Sequence, residues 1–132
     1  MLKNKLFIIN KIEKSVQDGD NVLPQPYKVD ISLDPAHDIF KGHFPGNPIL
    51  PGVCQVEIVR ELAEIILEKK LMLTQASQIK YMNLINPLSD PLLQVHFKIT
   101  GNGAQEFDVS VELGSAEKVF MKMKGRMKEH QI

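Results

Sequence analysis

Three groups within one short stretch have the types and spacing to move a proton beside a developing negative charge. His43 stands next to the apolar Phe44, and Pro45, Gly46, Pro48, Pro51 and Gly52 follow closely in HDIFKGHFPGNPILPGVCQVEIVRE, residues 37–61. Proline fixes φ and pushes the preceding residue towards extended backbone, while glycine opens turns closed to other residues. Such a loop is stiff and holds a side chain in one place. From Val53 onward the apolar positions take helical spacing, and Pro51 and Gly52 suit the first positions of a helix. That helix start offers unpaired backbone N–H groups, which favour an anion. Glu57, about one turn in, adds a carboxylate fourteen residues after His43.

Taken singly, each residue has an ordinary explanation. A histidine in a Pro/Gly loop is usually structural or exposed. Glu57 opens a polar helical stripe with Arg60, Glu61, Glu64 and Glu68. Only the joint spacing makes a site. His37 beside Asp38 hints at a metal but lacks a convincing third ligand, and it reads as a turn residue. His96 falls on the polar side of a strand and His130 in a tail. Cys54 lies at the helix start, where a thiol pKa can fall. As the single cysteine it excludes an intrachain disulfide and fits a reducing compartment. Phe40, Tyr81, Met82, Phe97 and the late methionines read as core first and as the lining of an apolar tunnel second.

The rest of the chain must position that stretch. Its 132 residues fit one domain, 1–132. Sixteen basic and sixteen acidic residues cancel, which leaves no global field for nucleic acid or a membrane surface. Lys118, Lys122, Lys124, Arg126 and Lys128 read as the wet face and tail of a strand. No run approaches the roughly 20 apolar residues that span a bilayer, so a soluble, cytoplasmic protein is expected. Residues 6–13 suit a strand, and 16–25 are turn material around Asp18-Gly19-Asp20. Tyr27, Val29, Ile31 and Leu33 alternate with polar residues, which predicts a half-buried strand. A single helix of about 18 residues is expected from Val53 to about Leu71, with an apolar stripe of Val56, Val59, Leu62, Ala63, Ile66 and Leu67. Four strands follow: residues 79–85, 93–99, 107–113 and around 119–123, where Phe120 is expected on the face opposite Met121. One helix among six hairpin-linked strands predicts an α+β architecture with an antiparallel sheet wrapped around the helix.

The string His43-Phe44-Pro45-Gly46-x-Pro48-x-x-Pro51-Gly52-Val53, with Glu57 beyond it, resembles the active-site signature of the hot-dog-fold β-hydroxyacyl-acyl-carrier-protein dehydratases. The resemblance covers roughly residues 29–69. It implies the hot-dog fold and conversion of a 3-hydroxyacyl thioester on acyl carrier protein to the trans-2-enoyl thioester, without metal or cofactor. It implies that His43 takes the α-proton, that the Gly52 N–H holds the thioester oxygen, and that Glu57 handles the leaving hydroxyl. Phe44, Val53, Cys54 and Glu61 would line the substrate. Partners so implied are the acidic carrier with its phosphopantetheine arm and a second copy in a homodimer, with a trimer of dimers as a further possibility; the basic cluster near the end stays a candidate carrier contact. The acid–base division stays open, because a helix N-terminus lowers the pKa of Glu57 while burial would raise it. Three places depart from the family's pattern. The first strand is expected to begin almost at once, at Leu6, where the family usually carries a proline-rich start and a helix. Glu61 stands where a glutamine is common, and could raise the Glu57 pKa by repulsion. Pro87-Leu88-Ser89-Asp90 stands where proline-glycine-aspartate is usual. The rival readings are a hot-dog acyl thioesterase and a non-catalytic acyl- or carrier-binding subunit.

Overall fold

A computed structural model describes residues 1–14, 25–41, 46–103 and 105–130. His43, Phe44, Pro45 and the turn around Asp18-Gly19-Asp20 lie outside the described residues. The elements run β1 (Phe7–Lys14), β2 (Gln25–Leu33), a single 3-10 turn (Asp38–Phe40), α1 (Gly52–Leu67), β3 (Leu71–Tyr81), β4 (Leu92–Gly101), β5 (Glu106–Gly114) and β6 (Val119–Glu129). The strands form one antiparallel sheet in the order β1-β2-β4-β5-β6-β3. This is the expected architecture of six strands about one helix.

Strict alternation in β4 and β5 fixes the register, since a slip of one residue would turn the apolar set to solvent. Val29, Val95 and Leu113 stand abreast on β2, β4 and β5, with Met121 next on β6. All four are buried, as are Ile58, Val59, Leu62 and Ala63 of α1. Each fully buried aliphatic side chain contributes about 1.5–3 kcal/mol, so sheet and helix hold each other in place.

Several boundaries differ from the sequence reading, each for a local reason. The helix stops at Leu67, because Glu68 turns into the left-handed region (φ 54) and its N–H bonds the Glu64 carbonyl. Leu71 belongs instead to β3, held there by its N–H donating to Glu64 Oε2 at 2.8 Å. That strand runs from Leu71 to Tyr81 rather than from 79 to 85. Among the described residues it is an edge strand, paired only with β6 and exposed along most of its length, so it carries no alternating apolar signal. Phe120 is not on the wet side. A register irregularity between Leu113 and Gly114 lets both Phe120 and Met121 enter the core.

The loop before the helix is fastened at its described end. The Leu50 N–H donates to the Ile85 carbonyl at 2.9 Å, and Gln55 Nε2 reaches the Leu50 carbonyl at 3.3 Å. Gly46 has φ +83, a conformation that favours glycine. This clamps the entry to α1 against the segment following β3.

Candidate active site

The mouth of α1 is built from Pro51, extended at φ −61 and ψ 148, and Gly52, the first helical residue. Among the described residues the Gly52 N–H has no partner, as expected for the first turn of a helix. Tyr81, the last residue of β3, lies directly over Gly52. A Cβ built at position 52 would stand 2.7 Å from both Cζ and Oη of Tyr81. A side chain at position 52 would have to push the Tyr81 ring aside, so glycine is what lets the ring rest on the helix mouth. Val53 is exposed, and so are Tyr81 at the end of β3 and Met82 and Leu84 just after it.

Glu57 is one of a connected set of charges. Arg60 Nε donates to both Glu57 oxygens at 3.1 and 3.0 Å, and Arg60 Nη2 pairs with Oε1. Arg60 Nη1 bonds the Leu71 carbonyl at 3.1 Å and meets Glu64 at 2.9 Å. The set ties α1 to the start of β3. The Arg60 guanidinium holds the Glu57 carboxyl below its ordinary value, outweighing partial burial, which pushes it up. Glu61 acts in the lowering direction, so the expected rise by repulsion does not occur. At neutral pH Glu57 is an anion. It can accept a hydrogen bond or steady a cation, but it has no proton to give.

Glu61 is not on a solvent-facing stripe. It is fully buried, and its carboxylate accepts from the Leu2 N–H at 2.9 and 3.0 Å and the Lys3 N–H at 3.1 Å. Its oxygens are engaged with the first residues of the chain. Cys54 is also buried, and burial pushes its thiol up, with the Glu57 charge adding to the rise; the lowering expected of a helix start does not prevail. Gly52, Val53 and Tyr81 thus share the helix mouth, Glu57 lies one turn further along, and Cys54 and Glu61 turn inward. Arg60 and Tyr81 are the residues that sequence reasoning undervalued. Arg60 sits three residues after Glu57 and four before Glu64, the spacing of helical ion pairs.

The remaining polar groups lie elsewhere. His37 Nδ1 accepts from the Ile39 N–H at 3.0 Å and starts the 3-10 turn. A hollow of about 530 Å³ lies on the outer face of the sheet, lined by Lys28, Lys80, His96, Lys98, Lys122 and Lys124 among others. It is away from the helix mouth. Lys122, Lys124 and Lys128 do face outward from β6, whereas Arg126 is paired with Asp108 at 3.0 Å.

A family model described as ApeI dehydratase matches residues 19–123. The chain is a member of the ApeI-like dehydratases. This agrees with the resemblance carried by residues 43–57. The 3-hydroxyacyl-acyl-carrier-protein dehydratase FabZ of Zymomonas mobilis is 45% identical over 47 residues, 36% of this chain and 30% of that protein. The match thus spans less than a third of the length of that curated relative. Among solved structures, the dehydratase heterocomplex ApeI:P from Xenorhabdus doucetiae aligns with a TM-score of 0.62 at 22% identity, covering 92% of this chain and 97% of that one. A putative thioesterase, yhdA from Lactococcus lactis, aligns with a TM-score of 0.63 at 10% identity, covering 92% of this chain and 91% of the other. At these identities the likeness carries the fold alone, which is the hot-dog fold. Among the described residues, this ApeI-like chain has no helix long and apolar enough to cross a membrane.

Proposed function

We propose that this chain removes water from a 3-hydroxyacyl thioester carried on acyl carrier protein, giving the trans-2-enoyl thioester. The observation that carries the reading is the helix mouth, where the Gly52 N–H, without a partner among the described residues, lies at a helix N-terminus about one turn from the ionised Glu57. Charge builds on the thioester oxygen as the α-proton leaves, and a fixed N–H at the positive end of a helix stabilises it. His43, on its Pro/Gly loop, takes that proton. The C–H electrons form the C=C bond, and the C–O bond breaks. Because Glu57 is held as an anion by Arg60, the departing hydroxyl is protonated by the imidazolium that His43 has just become. Glu57 accepts a hydrogen bond from the hydroxyl and steadies that cation. The two groups then titrate as a pair.

The exposed edge of β3 supports assembly with a second copy. An eleven-residue strand with one side unpaired among the described residues is a template for pairing, and its Met72, Ile79 and Tyr81 are exposed. Sedimentation of the purified chain is expected to give twice the monomer mass. A monomer would exclude the symmetric pairing, and dimerisation only with a related chain would replace it by a heterodimer.

The testing experiment follows enoyl formation from 3-hydroxyacyl carrier protein, for the native chain and for His43→Ala. Enoyl product lost in the folded variant supports the reading. Release of free carrier thiol without enoyl product would point to a thioesterase, and carrier binding without turnover would point to a binding subunit.

A further inference from the structure

From the contact between Tyr81 and Gly52 we propose that the Tyr81 hydroxyl is a second hydrogen-bond donor to the thioester oxygen, alongside the Gly52 N–H. In a helix each Cα–Cβ bond tilts towards the N-terminus. The empty Cβ position of the first helical residue therefore lies at the same end as the free N–H groups. Tyr81 Oη is 2.7 Å from that position, so an oxygen that accepts from the Gly52 N–H falls beside the phenol. No hydrogen bond to the hydroxyl occurs among the described residues, and Tyr81 is 51% exposed. Burial of part of the ring pushes the phenol pKa further up, so the group stays a neutral donor throughout the working pH range. β3 fixes the approach, because Tyr81 stands opposite Met121 of β6, whose side chain is fully buried.

The inference rests on the dehydratase reading, and two measurements separate the failure of one from the failure of the other. The first is turnover of 3-hydroxyoctanoyl-pantetheine by the native chain and by Tyr81→Phe, with the fold of each checked by thermal unfolding. Removing one such donor is expected to lower kcat by about 10²-fold with KM changed little. The second is the infrared carbonyl stretch of bound octanoyl-pantetheine, which has no hydroxyl to lose. Loss of a donor should move that stretch to higher frequency in Tyr81→Phe. Unchanged kcat, or a fall in kcat with an unmoved carbonyl stretch, would overturn the role of Tyr81. If the native chain forms no enoyl product, the dehydratase reading fails, while the carbonyl shift still decides whether Tyr81 binds a thioester oxygen.

Discussion

Glu57→Gln is expected to lower the rate of enoyl formation by about 10²–10⁴-fold, the range typical of a group taking part in proton transfer, with the fold intact. The amide keeps the size and one acceptor oxygen but loses the charge that, in the proposed mechanism, steadies the His43 imidazolium. Arg60 still has Glu64 and the Leu71 carbonyl as partners, so the helix remains fastened to β3. If Glu57 worked by donating a proton, glutamine would abolish activity equally. Arg60→Leu discriminates the two mechanisms. It removes the main cause of the lowered Glu57 pKa. An acid should gain from that change near neutrality, whereas an anion should lose, and a loss is expected here.

The same pair sets a pH dependence of stability whose sign follows from the direction of the shift. The folded carboxyl of Glu57 titrates below its unfolded value. Its ion pair therefore stabilises the chain above the ordinary carboxylate range, and this contribution is lost as pH falls through the folded pKa. With the Glu57 side chain 38% exposed, the contribution is expected to stay below about 1 kcal/mol. Urea unfolding of native and Arg60→Leu chains at neutral pH and in the carboxylate range should show the difference shrinking towards acid.

The core of this fold was legible because β2, β4 and β5 each put one face on the helix, and period two writes that directly into the residues. Strand β3 was not. It lies at the edge, and Thr74, Gln75 and Ser77 meet solvent, so only its pairing with β6 marks it as a strand. The helix end was misplaced for a related reason. Lys69, Lys70 and Leu71 continue an acceptable helical pattern, and the stop comes from Glu68 adopting the left-handed conformation, with Glu64 capturing the Leu71 N–H.

The candidate site divides in the same way. His43, Gly52 and Glu57 stand out by joint spacing within one segment. Tyr81 reaches Gly52 from a strand 29 residues away, and no local pattern encodes that approach. Arg60 was visible at ion-pair spacing but also at the spacing of a solvated stripe. Sequence alone does not choose between these two, because both place charges at the same helical intervals.

Glu61→Leu is expected to destabilise the chain by about 2–4 kcal/mol, and Glu61→Gln by about 1 kcal/mol. Replacing a buried ion by a hydrophobic residue of similar size is often neutral or stabilising when its partner is replaced too. The partners of Glu61 are the backbone N–H groups of Leu2 and Lys3, which no side-chain substitution removes. Leucine fills the space but leaves both donors without an acceptor. The loss stays below the full penalty because these residues are only partly buried and water can reach them. Glutamine retains one acceptor oxygen, though its NH₂ must turn away from the amides. Urea unfolding of the three chains at neutral pH reads the order directly. A leucine variant as stable as the native chain would mean that the first residues leave Glu61 easily, and that helix α1 does not need them to cover its buried face.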